Sequence, residues 1–568
     1  MGTGVAGGAR LRSREICEDA TSSSSQFREL PKQKFSRARA TRGVPAELRS
    51  EVSRADRRDF ALSARIEDVL AAVAERASEN LKRAHPEFSA GTLKKRACFI
   101  PLFFGLAALV ALFNEASTAV LCFLVGLPSA FRILLVMDEL HATPRHSGPD
   151  FSSVPDQDLP VYSVIAPLHR EARVVDQLLS AIERLDYPLE KLDVILMVES
   201  DDRETHAAIT GRRHRMPITV IPAPPVGPCT KPKALNIALE LARGSFVVIY
   251  DAEDRPQLDQ LRCALQAFGS AGDDLACVQS RLCVDTRATW LGRYFTAEYA
   301  AHFDIFLPRL AALGFPLPLG GSSNHFRTSV LRKTGGWDPY NVTEDADLGV
   351  RLSRLGYRCG VIESTTYEEA PTEIRRWLGQ RSRWFKGWMQ TLLVHLREPR
   401  RLFRQLGQRG FAAFLLVVGG NSLVALAHPI FVVGVFWKLG FGAESLLEIA
   451  LCAVSLLTGY MSSAFLAWRG LSYRGARRKL RTLAWTPLHW LLLSVAAWWA
   501  VGELILAPSR WNKTEHGLDR EHGITSALVK LNALFADMEK RGEIPQIWID
   551  ATYSAADRQR LPRAFASG

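Results

Sequence analysis

Apolar positions along the chain fall into two regimes. Long uncharged runs cluster near residues 97–136 and 411–506, and between them the apolar runs are short and regularly interrupted. Ala97–Phe113 carries no charge, and Thr118–Val136 carries only Arg132, placed near its end where a long side chain snorkels to the interface. Phe411–Trp437 and Ser445–Ala467 are of similar character. Each of the four approaches the roughly 20 apolar residues that cross a bilayer. Leu483–Leu506 is different, because it holds Pro487, His489, Ser494 and Glu503. At about 100° per residue, His489, Ala496, Ala500 and Glu503 share one face. That pattern predicts a helix lying in the interface, with a full crossing as the alternative.

The middle of the chain reads as a soluble domain over residues 155–395. Val161–Ala166, Leu192–Val198, Ile218–Pro222, Phe246–Tyr250 and Ala276–Gln279 are short apolar or β-branched runs. Helical stretches such as Val174–Arg184 and Lys233–Ala242 separate them. Strand alternating with helix predicts an α/β domain with a mainly parallel sheet. Ligands then sit beyond the carboxyl ends of the strands. The full expected order is a tail over 1–95 (disordered, then helical from Phe60 to His85) and two spans within 96–137. The sheet domain follows, then two spans within 411–467, an interfacial helix and loop over 483–517, and a second tail over 518–568.

The formal charge of +12 does not change this picture. Lys94, Lys95 and Arg96 precede the first apolar run, and Arg469, Arg474, Arg477, Arg478, Lys479 and Arg481 follow a later one. Positive charge beside apolar spans marks cytoplasmic loops. The expected location is therefore the inner or plasma membrane, multi-pass, with the sheet domain and both tails in the cytoplasm. No zinc-finger, RNA-binding or basic-zipper pattern accompanies the charge, so nucleic acid is not an expected partner. The nine cysteines show no C-x-x-C pair, and Cys98, Cys122 and Cys452 lie inside apolar runs, as reduced, packed thiols do.

Three groups of residues carry chemistry. The run Phe246–Tyr250 leads into Asp251-Ala252-Glu253-Asp254. Three acids just past a buried strand repel one another unless a cation joins them. Hard carboxylate oxygens suit Mg²⁺ or Mn²⁺ bridging a diphosphate, although a solvated turn carries such acids too. Thr343-Glu344-Asp345 opens a predicted helix to Leu355. Acids there favour the helix dipole, and Asp345 can equally be a general base for a hydroxyl nucleophile. Gln380-Arg381-Ser382-Arg383-Trp384 then places guanidinium groups, which pair with phosphate, beside indoles, which stack on sugars and also mark membrane surfaces.

These groups, in this order and flanked by apolar spans, resemble the family-2 glycosyltransferases. Within that family they are similar to the membrane-bound processive synthases of the cellulose, hyaluronan and chitin type. The resemblance covers about residues 160–520 and implies a glycosyltransferase-A-like sheet domain inserted between transmembrane helices. The implied reaction is inverting transfer of a hexose, expected from UDP-glucose, onto a growing β-linked polysaccharide, with export subunits as candidate partners. Transfer of a single sugar to a lipid carrier or glycolipid is the alternative. An inactive scaffold in polysaccharide assembly is the alternative of another class.

By the same resemblance, Glu171 and the acid segment Glu199-Ser200-Asp201-Asp202 hold the nucleoside, through Glu199 or Asp201. Lys231 and Lys233 lie near the diphosphate. Asp251 and Glu253 bind the metal, with Glu standing where Asp is usual. Gly320-Gly321-Ser322-Ser323-Asn324 borders the acceptor. Asp345, beside Glu344, matches the catalytic base, and Gln380, Arg383 and Trp384 match the motif around acceptor and diphosphate. Trp511–Gly517 matches a loop that closes over the donor.

Overall fold

The computed structural model describes residues 70–94, 99–111, 115–139, 154–284, 289–371, 373–441 and 446–508, with a few single positions between them. The expected tail over 1–67, the loop Trp511–Gly517 and the tail over 518–568 lie outside the described residues.

The centre is an eight-stranded sheet in the order β3-β2-β1-β4-β7-β6-β8-β5. Its strands are β1 Tyr162–Leu168, β2 Leu192–Glu199, β3 Ile218–Ala223, β4 Phe246–Ile249, β5 Arg255–Pro256, β6 Leu275–Val284, β7 Asn324–Arg327 and β8 Arg358–Glu368. β3, β2, β1 and β4 are parallel neighbours. β7 runs antiparallel between β4 and β6, and β5 antiparallel beside β8. The strands β1 and β2 are buried along nearly their whole length because helices cover both faces. Hence they read as continuous apolar runs in the sequence. The five expected strands are present; β5, β7 and β8 were not anticipated.

Four described helices are long and apolar enough to cross a membrane: Thr118–Leu135, Pro399–Trp437, Leu446–Tyr473 and Leu480–Leu506. Three of the four expected spans are among them, and the fourth helix is Leu480–Leu506. Of the expected first span, Ala97–Phe113, the described part is the helix Ile100–Ala111. Leu480–Leu506 meets the length criterion, yet both ends of the helix within it, Thr486–Leu506, rest on the sheet domain. Tyr294 donates to Thr486 Oγ1 (3.1 Å) near the start, and Lys386 donates to Glu503 Oε2 (3.0 Å) near the end. The same helix also packs against the apolar helices, with Trp498 Nε1 donating to Leu426 O (3.2 Å). Its face carrying His489, Ala496 and Ala500 is buried, while Leu488, Leu491, Val495 and Trp499 are exposed.

Arg132 does not behave as a free snorkelling residue. It donates to Asn421 Oδ1 on a neighbouring apolar helix, so a polar contact holds it inside the bundle. At the other side of the domain, the helix over 70–84 and the turns after it strap onto the segment before Asp345. Ser89 and the Ala90 N–H donate to the carboxylate of Asp338, and Tyr340 donates to Glu79.

Candidate active site

The acids after β4 are collected by the sheet itself. Tyr250 N–H still bonds to Ile165 O on β1 (3.0 Å), so the chain leaves the sheet at Asp251, at the carboxyl end of the parallel half. The turn closes when Asp251 N–H donates to Asp254 Oδ2 (2.7 Å). Asp254 is wholly buried and also accepts from Ser322; its Oδ1 has no hydrogen-bond partner among the described residues. Burial, with Asp251, Glu368 and Glu171 nearby, pushes Glu253 well above the usual carboxylate range. Burial and the charges of Asp254 and Asp251 do the same to Glu368, which Tyr299 and Lys231 partly relieve. Glu368 ends β8 and went unrecognised in the sequence; only its adjacency to Glu369 and an apolar strand hinted at it.

The candidate base, Asp345, enters from the next turn. Thr343 precedes the helix Glu344–Arg354, and Asp345 sits in its first turn with Oδ1 accepting from Ala346 N–H (2.8 Å). Side chains of a second helix, Ile374–His395, fasten this turn: Val342 N–H donates to Gln390 Oε1 (3.1 Å) and Asn341 to Thr391 Oγ1 (3.0 Å). Gly387 permits that approach, since a Cβ there would lie 2.3 Å from Thr343 Oγ1. Gly321 opens the opposite wall, because a Cβ on it would stand 3.2 Å from Asp345 Oδ2. Burial raises Asp345 above its ordinary value, opposed by the Ala346 N–H, Lys231 and Arg383. Burial and neighbouring Asp345 push Glu344 up to about 8.

Two cations bind these groups together. Lys231, the first residue of the helix Lys231–Leu241, donates to Asp251 Oδ1 and to Gly321 O (2.7 Å). Burial alone would lower its pKa, but Asp251, Glu344 and Asp345 overcome this and raise it. Arg383 is lowered by burial and opposed by Glu344, Asp251, Asp345 and Glu253, which places its guanidinium among both acid groups. Trp384 lies beside it, 6.2 Å from Phe295 between ring centroids, with Arg381 over its face at 4.4 Å. Gln380 is half-buried, and its Oε1 lacks a hydrogen-bond partner among the described residues.

The residues assigned to the nucleoside divide. Glu171 is buried at the end of the β1 loop, near Glu253. Glu199 ends β2, where burial raises it and Lys233 opposes the rise. Lys233 is itself wholly buried and donates to Pro224 O (2.8 Å). Of the following acids Asp201 is exposed. Asp202, which the sequence did not single out, is structural: it caps the helix Arg203–Thr210 through Thr205 N–H (3.1 Å) and accepts from Arg170 N–H. Thus Asp251, Glu253, Lys231, Glu344, Asp345 and Arg383 converge in one cleft, Glu199 and Lys233 pair beside it, and Asp201 stands apart.

This acid set suits a divalent ion only in one way. Among the described residues no three His, Cys, Asp or Glu side chains converge closely enough to hold a metal alone. Mg²⁺-type ions need one or two carboxylates when substrate phosphates complete the shell. The buried, mutually repelling acids Glu253 and Glu368, with Asp254 Oδ1 lacking a hydrogen-bond partner among the described residues, fit such a shared ion.

Residues 246–501 match the profile of the family described as glycosyl transferase family group 2. That span takes in the acid turn, the candidate base and the Gln380–Trp384 motif. A probable glycosyltransferase of Bacillus subtilis, YdaM, is 27% identical over 50% of this chain and 68% of its own length. The β-monoglucosyldiacylglycerol synthase of Synechocystis is 26% identical over 45% of this chain and 54% of its own length, so the chain spans about half of that relative. Among solved structures, the mannosyltransferase PcManGT from Pyrobaculum calidifontis, in complex with GDP-Man and Mn²⁺, is similar at a TM-score of 0.44 and 19% identity, over 66% of this chain and 99% of that one. Residues 246–501 thus match a family-2 glycosyltransferase model, and the chain combines a parallel-rich mixed sheet with described helices long and apolar enough to span a membrane.

Proposed function

We propose that this chain transfers a hexose from a nucleotide diphosphate sugar, UDP-glucose being the first to test, to a lipid acceptor at the membrane surface with inversion. The observation that carries the chemistry is the convergence of Asp345 with Lys231 and Arg383. A partly exposed carboxylate of raised basicity faces the cleft whose two cations also reach Asp251. Asp345 takes the proton of the acceptor hydroxyl. The oxygen attacks the anomeric carbon from the face opposite the diphosphate, the bond to the diphosphate breaks, and the nucleoside diphosphate leaves. Lys231 and Arg383 offset the charge that develops on it. Asp251 and Glu253 would hold Mg²⁺ or Mn²⁺, which when bound supplies Lewis-acid charge at the diphosphate. Glu199 and Lys233, with Glu171, line the nucleoside side, and Gln380 and Trp384 border the acceptor.

The Synechocystis relative named for a glucosyldiacylglycerol product supports the lipid acceptor. The growing polysaccharide remains the second reading, supported by the order of the Gln380, Arg383 and Trp384 motif. Incubating the purified protein in vesicles with labelled UDP-glucose separates them. A labelled product that extracts and runs as a glycolipid supports the proposal, and a high-molecular-weight glycan replaces it with the second reading.

The proposed orientation is multi-pass with the sheet domain in the cytoplasm. Contacts of the strap over 70–94 and of both ends of Thr486–Leu506 with that domain support this orientation. A Ser567→Cys variant should therefore resist membrane-impermeant thiol reagents in intact cells and react after lysis. Labelling in intact cells would place the C-terminal tail outside.

A further inference from the structure

The Gln380–Trp384 motif contains a second arginine whose environment is unlike that of Arg383. Arg381 does not face the acids of the cleft. Its two terminal nitrogens grip both oxygens of Glu298 on the helix Trp290–Tyr299, at 2.7 and 2.6 Å. Such a two-point bond fixes the plane of the guanidinium as well as its position. Three aromatic rings hold that plane: Trp384 at 4.4 Å, Phe295 at 4.6 Å and Trp377 at 5.1 Å. His489, on the helix Thr486–Leu506, stands 3.7 Å from the same Glu298 carboxylate.

Arg381 thereby covers one face of the Trp384 indole, which is itself only partly buried. Its charge is already matched by Glu298, so it has little left to offer a phosphate. We propose that Arg381 and Glu298 are positioning residues that hold Trp384 as a one-sided stacking platform for the acceptor, and that His489 ties this platform to the membrane-facing helix. The proposal rests on the glycosyl-transfer reading above. It adds a division of labour within one motif: Arg383 works on charge in the cleft and Arg381 on the orientation of its neighbour.

The test exploits the slow hydrolysis of a nucleotide sugar when water replaces the acceptor. Misplacing Trp384 harms transfer to the acceptor more than attack by water, which needs no stacking surface. Arg381→Lys keeps the charge but loses the planar fork, and Glu298→Gln keeps shape but loses charge. Each variant should raise acceptor KM and shift the ratio of donor hydrolysis to transfer about tenfold towards hydrolysis. UDP binding by calorimetry should stay at the parental value, which also reports that the variants fold. An unchanged ratio, with transfer and hydrolysis falling together or neither falling, overturns the positioning role. Failure of the underlying reading looks different: the parent protein then transfers no sugar and hydrolyses no donor.

Discussion

Asp345 and Asp347 stand two residues apart at the start of the same helix, and their surroundings are opposite. Asp347 is wholly buried between Arg351 and His395. Arg351 Nε lies 3.8 Å from one of its oxygens and His395 Nε2 3.2 Å from the other. Arg351 is anchored in turn on Thr334 O (3.0 Å) and Gly336 O (2.7 Å). Asp345 has only shared cations: Lys231 is bonded to Asp251, and Arg383 faces four acids. A carboxylate matched by buried partners fastens the helix to its neighbours. One whose counter-charges are shared, and which stays partly open to solvent, keeps capacity for a substrate's proton. One helix thus carries a structural acid and the proposed chemical one, and burial with pairing distinguishes them where residue type does not.

The largest expected effect breaks the sharing. Asp251→Ala should remove transfer together with metal-dependent UDP binding, because it deletes a proposed metal ligand and frees Lys231 from its partner. Calorimetry with Mn²⁺ and UDP decides this; unchanged affinity would make the acid turn a structural one. Next is the fixed member of the pair. Asp347→Asn should cost about 3–5 kcal/mol of stability by leaving Arg351 buried without its carboxylate. Asp345→Asn should leave thermal unfolding of the nucleotide-free protein unchanged or slightly raised. Denaturation of the two variants side by side measures the contrast, and equal losses would erase it.

The smallest effect is a pH dependence. Glu344 binds its proton more tightly folded than unfolded, with a pKa pushed up to about 8 from 4.5 by burial and by Asp345. Its contribution to stability is therefore fully present below 4.5 and is lost as pH rises through about 8. Melting of the nucleotide-free protein should fall across that window, and Glu344→Gln should flatten the fall. An identical slope in the variant would remove Glu344 as its source.

Much of the frame was legible because it rests on local pattern. The apolar runs of β1, β2 and β4 are short, β-branched and punctuated, and the acid turn follows β4 because a buried strand must end before charge begins. β7, Asn324–Arg327, was not legible, since its residues are polar and it earns strand geometry only by pairing with β4 and β6 on either side. β5 is two residues long and exists through its pairing with β8. At the site, Asp251, Asp345 and Arg383 were legible as types in order, but Glu368 reaches the acid group only through the register of β8. Arg381 could not be told from Arg383 by sequence, because the difference lies in Glu298, 83 residues away. The helix within Leu480–Leu506 shows the same limit: composition allows a crossing, and its contacts with the sheet domain at both ends were not readable from it.

The central claim is that Asp345 removes the acceptor's proton while taking no part in holding the nucleotide. It is tested most directly by measuring transfer and UDP binding together on Asp345→Asn, using the same purified preparation in vesicles. The predicted result is a loss of transfer of about 10²–10⁴-fold, with metal-dependent UDP affinity at the parental value. Transfer within about tenfold of the parent, or UDP affinity lost in step with activity, would contradict the assignment.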